Sequence, residues 1–535
     1  MSARSRITRA AGVMSLATLI SRILGYIKDM IVATFFGATA SADVFYVAFR
    51  IPNLLRELFA EGSMSSAFIP VLTEYQTRFG RDEANRLVRS TIMVVVIFVG
   101  MLCILGMVFA PAIVSLIAPG FLKNPEKLAT TVLLTRIMFP FLLFISLAAI
   151  TMGSLNSRGV FFTPALAPAT QNIVIIICVV ALSSQFINPI LSVAIGVTIG
   201  GLVQFLFQVP AFFKQGYTFS RITADEATRD PASTDFTNRD SRIWHPGLKK
   251  IGRLIIPSTA GLAVAQVNIF VSTILASFLS VGSITYLYYS MRLIQFPIGI
   301  FGVAMGMAVL PALSEHAVKG ATESLKEDFS FALRVLFFIT VPAMIGLISL
   351  KIPIVSTLFQ RGKFEYAATI GTSDALMFYS LGIWAVVGVR VLAATFYAMQ
   401  DTRTPVRVAV MAVIINILLS LVLMSPMRHK GLAFANAIAS ICNFTMLFYF
   451  LRKRLGGLGT RRIVISFAKT LLASTIMGFV GWFTLKGEPW TLSGNTLHKA
   501  VYLSATVVMC AITYMLVSYL LKSDEMSYMI RKVKR

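Results

Sequence analysis

The chain reads as an all-α polytopic membrane protein of about 14 transmembrane helices, built as two six-helix lobes in parallel repeat plus two C-terminal helices. Three observations predict this. Of 535 residues, 56% are hydrophobic and 13% charged, against roughly 25% charged in an average soluble domain. Mean hydropathy is +0.79. Apolar stretches of about 20 residues, the length that crosses hydrocarbon, recur along the whole chain. A soluble chain of this length would have several polar domain surfaces to cover, and the charges to cover them are missing. A water-soluble enzyme, a disordered chain and a fibrous chain are thereby excluded.

Taken in order, spans are expected near 8–36, 41–61, 90–118, 130–153, 162–184 and 188–213 in the first lobe. Those of the second lobe fall near 250–278, 282–310, 331–350, 369–399, 405–424 and 431–451, and the added pair near 463–485 and 500–521. Arg4, Arg6 and Arg9 before an apolar run resemble a signal peptide. No small-x-small cleavage site follows before Arg22, however, and the apolar pattern then resumes, so the segment reads as a retained first helix. Residues 64–76 read as a surface helix or return turn. The domain division that follows is 1–213, a linker at 214–249, 250–452, and 453–535 with a basic tail. The linker carries Asp225, Glu226, Asp230, Asp235 and Asp240 in a Ser/Thr-rich setting, a composition of flexible connections.

The repeat is visible directly. The run Phe68-Ile69-Pro70-Val71-Leu72-Thr73-Glu74-Tyr75 returns as Val309-Leu310-Pro311-Ala312-Leu313-Ser314-Glu315-His316, an offset of 241 residues, and Thr163-Pro164 returns as Thr404-Pro405 at the same offset. Six spans bring a chain back to its starting side, so the halves share polarity. Parallel six-helix repeats are a transporter architecture with the substrate site near mid-membrane between halves.

Lys and Arg number 48 against 23 Asp and Glu, a net charge of +25. In a soluble chain this would suggest nucleic acid. Here about 31 of the 48 fall in alternate loops and the termini, and about 9 in the opposite loops. That is the bias that orients membrane proteins, so no nucleic-acid partner is expected and both termini are assigned to the cytoplasm. Cys103, Cys178, Cys442 and Cys510 lie in apolar stretches without paired spacing, and His245, His316, His429 and His498 are scattered, so no metal, cofactor or disulfide framework is expected. No phosphate loop, H-E-x-x-H or G-x-S-x-G occurs, and no catalytic constellation stands out.

Ionisable residues inside spans carry the chemistry. Span 1 holds Arg22, Lys28 and Asp29; span 2 holds Asp43, Arg50, Arg56, Glu57 and Glu61; span 8 holds Arg292. A central Arg or Lys costs about 2.5–3.5 kcal/mol on insertion scales, so these residues face protein or water. Two readings stay open: internal salt bridges with snorkelling at span ends, or a water-filled cavity. Asn53 and Arg56, three apart, are helix neighbours. Pro52 and Gly25 are places where the helices can bend. An Arg-rich chamber suits phosphate or pyrophosphate, which guanidinium grips with two hydrogen bonds.

At these residues the sequence resembles the bacterial lipid II flippase family, MurJ or MviN, of the multidrug/oligosaccharidyl-lipid/polysaccharide exporter superfamily. The resemblance is densest in Ser21-Arg22-Ile23-Leu24-Gly25, Asn53-Leu54-Leu55-Arg56 and Phe59-Ala60-Glu61-Gly62. It continues in Tyr288-Tyr289-Ser290-Met291-Arg292-Leu293, Leu358-Phe359-Gln360-Arg361-Gly362-Lys363-Phe364 and Phe396-Tyr397-Ala398-Met399-Gln400-Asp401. It implies fourteen helices, the last two forming a groove for a lipid tail, and a substrate of undecaprenyl-pyrophosphoryl disaccharide-pentapeptide moved outward for peptidoglycan synthesis. The family's cavity charges fall on Arg22, Lys28, Asp29, Arg56 and Arg292, with Asp43, Asn53 and Glu61 at matching motif positions. Lys28 stands where Arg is usual, Met291 and Gln295 where many relatives carry acids, and Glu57 where some carry a base. The expected function is a lipid II flippase of the bacterial cytoplasmic membrane working by alternating access. Its rivals are an exporter of another lipid-linked oligosaccharide or of drugs, and a membrane glycosyltransferase.

Overall fold

The computed structural model describes residues 3–57, 64–219, 245–299, 303–486, 490–494 and 496–533, and among them there is no strand. The sequence-derived all-helical class is what the structure has. Nine helices come first: α1 (Ala3–Phe36), α2 (Ala40–Leu55), α3 (Met64–Arg78), α4 (Gly80–Val108), α5 (Ala110–Ile117), α6 (Pro125–Met138), α7 (Pro140–Ser157), α8 (Phe162–Leu182) and α9 (Leu191–Lys214). Nine more repeat the order: α10 (Pro246–Ser277), α11 (Ser283–Pro297), α12 (Val303–Val318), α13 (Thr322–Ser349), α14 (Lys351–Phe359), α15 (Tyr366–Ser380), α16 (Ile383–Ala398), α17 (Arg403–Met427) and α18 (His429–Leu455). Three follow: α19 (Thr460–Thr484), α20 (Thr496–Leu520) and α21 (Asp524–Val533).

The 241-residue offset is therefore architectural. The matched octapeptides lie in α3 and α12, each with its proline inside the helix. Thr163-Pro164 and Thr404-Pro405 sit in the first turns of α8 and α17, where proline's missing N–H has no helical partner to lose. Proline also opens α6 and α7, and the Asn124 side chain caps α6 by accepting from the Lys127 amide at 3.1 Å.

Among the described residues, ten helices or helix pairs are long and apolar enough to cross a membrane, and they coincide with expected spans 3–6 and 9–14. The remaining four expected spans, near 8–36, 41–61, 250–278 and 282–310, are not among these ten, so the total of fourteen rests on the sequence. Two boundaries differ from expectation. Span 3 starts earlier, at Gly80, and breaks at Phe109 into α4 and α5. The 64–76 segment is a full helix whose Phe68, Val71 and Leu72 are buried, so it is packed into the fold rather than laid on its surface.

The chain divides into two compact units, one of residues 1–35 and 44–266, the other of residues 36–43 and 267–535. Within the first unit, α8 and α9 approach closely because Gly196 and Gly200 carry no side chain; a Cβ on Gly200 would lie 3.1 Å from the Gln171 carbonyl oxygen. Small residues at such crossings are how helices associate in lipid, which is as apolar as leucine. Within the second unit, α19 and α20 pack on α13 through Phe338, Ala473, Met477, Cys510 and Tyr514. The Tyr514 hydroxyl donates to the Phe338 carbonyl at 2.6 Å, and Arg334 pairs with buried Glu525 at 3.0 Å. Several buried hydroxyls in this unit bond back along their own helix, as Ser380 on α15 does to the Leu376 carbonyl at 2.7 Å. The outward faces are apolar: Ile97, Met101 and Ile104 on α4, and Val508, Ile512 and Leu516 on α20, are all exposed.

Candidate functional site

In the first unit the candidate residues come from α1 and the end of α2. Helix α1 runs unbroken through Gly25. Arg22 is exposed, whereas Asp29, two turns on, is only 1% exposed. Lys28 Nζ lies 3.1 Å from Asp29 Oδ1, so for this pair the salt-bridge reading of the sequence holds. The pairing offsets part of the cost of taking a carboxylate and an ammonium out of water.

Helix α2 contains Pro52 and widens to a π-turn at Arg56 and Glu57. Proline removes one ladder hydrogen bond, and the ladder is re-satisfied by a local change of pitch. That turn assembles a polar cluster. Arg56 Nε donates to Asn53 Oδ1 at 3.1 Å, Asn53 Nδ2 donates to Glu57 Oε1 at 2.9 Å, and Gln266 Nε2 donates to Glu57 Oε2. Arg56 Nη2 lies 3.9 Å from Glu57 Oε1. The expected Asn53–Arg56 adjacency is therefore a direct hydrogen bond. Glu61 lies outside the described residues.

In the second unit Asp43 has a distinct task. Its carboxylate is 2% exposed and accepts from the Gly282 amide at 2.6 Å, the Thr285 amide at 3.0 Å and the Thr285 hydroxyl at 2.7 Å. It thus caps the N-terminus of α11, where free amides and the helix dipole favour a negative charge. Gly282 adopts φ +90° at that cap, open to glycine and strained for other residues. The turn that brings Asp43 there passes through Gly37, φ +60°, whose missing Cβ would lie 2.1 Å from the Lys363 carbonyl oxygen.

Helix α11 then presents Arg292, half-buried, seven residues past Thr285. It too ends in a π-turn, at Ile298 and Gly299, the counterpart of the one at Arg56 in the repeat. Below it Tyr289 is fully buried, its ring 4.6 Å from Phe359 and 5.7 Å from Phe364, which anchors the helix that carries the cation. In the same unit, buried Asn416, which the sequence offers with Ser420 only as a weak cation site without a carboxylate, donates from Nδ2 to Asn268 Oδ1.

Sequence reasoning paired Asn53 with Arg56 and did not find the Glu57–Gln266 contact or the amides that Asp43 holds. Gln266 and Gly282 had no local signal, since each meets its carboxylate across more than 200 residues of chain. A glycine before a polar helix start was the one available cue for Gly282.

The family model described as "Lipid II flippase MurJ" matches residues 32–501. The "Probable lipid II flippase MurJ" of Vibrio cholerae serotype O1 is 34% identical over 525 residues, covering 96% of each chain. The "Lipid II flippase MurJ" of Burkholderia cenocepacia is 32% identical over 512 residues, covering 95% of this chain and 96% of its own. Among solved structures, "Lipid II flippase MurJ, inward closed conformation" superposes with a TM-score of 0.76 at 28% identity, covering 98% of this chain and 99% of that one. An inward-facing multidrug resistance MATE family transporter of the MOP superfamily has a TM-score of 0.66 at 14% identity, covering 82% of this chain and 96% of its own, a likeness of fold.

Proposed function

The chain belongs to the lipid II flippase MurJ family, and from that premise we propose that it carries lipid II from the inner to the outer leaflet of the bacterial inner membrane. It is a transporter rather than an enzyme. The observation that carries the reading is the family match along 32–501, which includes most of the charged helices described above. The same match disfavours the drug-exporter and glycosyltransferase alternatives, and MATE proteins share only the fold.

The pyrophosphate of lipid II is a diester that carries one negative charge on each of its two phosphoryl groups. Arg22, Lys28, Arg56 and Arg292 supply cations for it, and Asn53 holds the Arg56 fork in a fixed plane by accepting from Nε. A guanidinium of fixed plane can meet two phosphoryl oxygens at once. Interrupted helices at matching places in the two repeats are the best sequence-level pointer to a transporter's binding site. The π-turns at Arg56–Glu57 and at Ile298–Gly299 fit that pattern. Asp43 acts on the site through α11, whose start it fixes. Glu61 belongs with the set by its motif position.

Alternating access supplies the movement, with both termini in the cytoplasm. The membrane potential supplies a driving force of about 2.3 kcal/mol per charge per 100 mV. Outward passage of an anionic head group descends that field, and return of an empty cationic cavity descends it too. The test is depletion of the protein in cells, with lipid II probed by a cleaving enzyme confined to the outer side. The reading expects lipid II to become inaccessible and the wild-type gene to restore access. Unchanged access after depletion contradicts it.

A further inference from the structure

The first unit holds a polar cavity of about 660 Å³ that is lined by none of the candidate residues above. Four places in the chain build it: Gln76 near the end of α3, Arg81, Asp82 and Asn85 at the start of α4, Arg158 in the α7–α8 turn, and Lys214 at the end of α9. Three cations face one acid there. All these segments lie on the side that the charge bias assigns to the cytoplasm.

Arg158 is held in place and incompletely used. Its guanidinium lies 4.2 Å over the ring of Tyr217, and Nη1 donates to the Gln215 carbonyl. Tyr217 is itself 1% exposed, and its hydroxyl accepts from Gln76 Nε2 at 2.7 Å. Arg158 Nη2 is buried without a hydrogen-bond partner. A buried donor left unmade costs about 1–3 kcal/mol, so a small side-chain shift that brings this nitrogen to an acceptor in the cavity is favoured.

The other repeat shows how the same joint looks when it is closed internally. There the α16–α17 turn carries Asp401, which pairs with Arg454 at the end of α18 at 2.8 Å. In the first repeat, the turn offers a cation and the helix end offers only a carbonyl and another cation, Lys214. One joint holds an internal ion pair, and the other has no acid in its turn or at its helix end.

We propose that this cavity binds a phosphate-bearing anion, gripped by the Arg158 guanidinium and neutralised by Arg81 and Lys214. A planar fork fixed on an aromatic ring matches phosphate oxygens. Basic pockets between helices on the cytoplasmic side suit anionic head groups. Beside it Phe213 and Phe219, 5.2 Å apart and both exposed, sit where a membrane interface accepts aromatic rings. The ligand is a lipid head group or a free phosphate compound of the same chemistry.

The test uses the full-length protein in neutral detergent and follows its thermal unfolding. The probes are dioctanoyl phosphatidylglycerol, dioctanoyl phosphatidylcholine and inorganic phosphate. Wild type is stabilised by phosphatidylglycerol and not by phosphatidylcholine; stabilisation by inorganic phosphate as well assigns the site to free phosphate. The double variant Arg81→Ala/Lys214→Ala, both exposed positions, keeps wild-type helicity and binds roughly thirtyfold more weakly, from about one charge's contribution each. Arg158→Lys, which keeps charge and loses the fork, also weakens binding. No stabilisation by either anion, equal stabilisation by phosphatidylcholine, or undiminished binding in the double variant would overturn the proposal.

Discussion

Replacing Asp43 removes the one carboxylate that holds three donors at the start of α11. The Gly282 amide, Thr285 amide and Thr285 hydroxyl bond to it at 2.6, 3.0 and 2.7 Å. Loss of an N-cap costs about 0.5–2 kcal/mol, and hydrogen bonds to charged groups contribute about 1.5–3 kcal/mol each. Because all three donors are buried, Asp43→Ala is expected to cost the first turn of α11 about 3 kcal/mol. Asp43→Asn keeps one oxygen acceptor and loses the charge, at about 1.4 kcal/mol. Amide hydrogen exchange over residues 280–287 reads this locally. Exchange should quicken about a hundredfold in the alanine variant and about tenfold in the asparagine variant, at 1.4 kcal/mol per decade. Arg292 follows two turns later on the same helix, so transport should fall in the same order. Equal protection in all three proteins would refute the capping role and the link from Asp43 to Arg292.

Other perturbations separate charge, shape and pH. Arg56→Ala should abolish complementation of flippase-depleted cells while the protein stays inserted; Arg56→Lys should restore part of it, since the charge survives and the Nε bond to Asn53 does not. Gly37→Ala combines a φ of +60° with a Cβ 2.1 Å from the Lys363 carbonyl oxygen, so its melting temperature should fall well below that of Gly80→Ala, which meets open space at φ +87°. Asp401 accepts from the Thr404 amide at 3.0 Å and the Thr404 hydroxyl at 2.8 Å, and pairs with Arg454. The Thr404 amide first, then its hydroxyl and the Arg454 charge, hold its carboxyl below the usual range. A depressed folded value means the stabilisation is complete above the ordinary carboxylate pKa and fades as pH falls through the lowered one. Thermal unfolding against pH should therefore lose part of its acid limb in Asp401→Asn.

Helix type and order were legible because hydropathy and length suffice for them, and the 241-residue offset disclosed the repeat before any coordinates. Cations such as Arg22, Arg56 and Arg292 stood out because charge inside an apolar run has a cost that needs a reason. What stayed hidden was long-range pairing. Nothing near Glu57 names Gln266, and nothing near Asp43 names the amides of α11. The break at Phe109 was hidden as well, because Phe109 and Ala110 are as apolar as their neighbours and Pro111 reads equally as a kink within one span or the start of a new helix. The 64–76 helix was misplaced at the surface because its few apolar residues match a short amphipathic stripe, and only packing against α7 shows Phe68 filling the space left by Gly153.

The most direct measurement is translocation by the purified protein alone. Lipid II labelled on its head group is placed in both leaflets of proteoliposomes, the outer label is quenched, and the protected fraction is followed over time. The account predicts that wild type exposes the inner pool and that Arg56→Ala and Arg292→Ala, equally well inserted, do not. Loss of the inner pool at the same rate in protein-free vesicles, or undiminished rates in both variants, would contradict it.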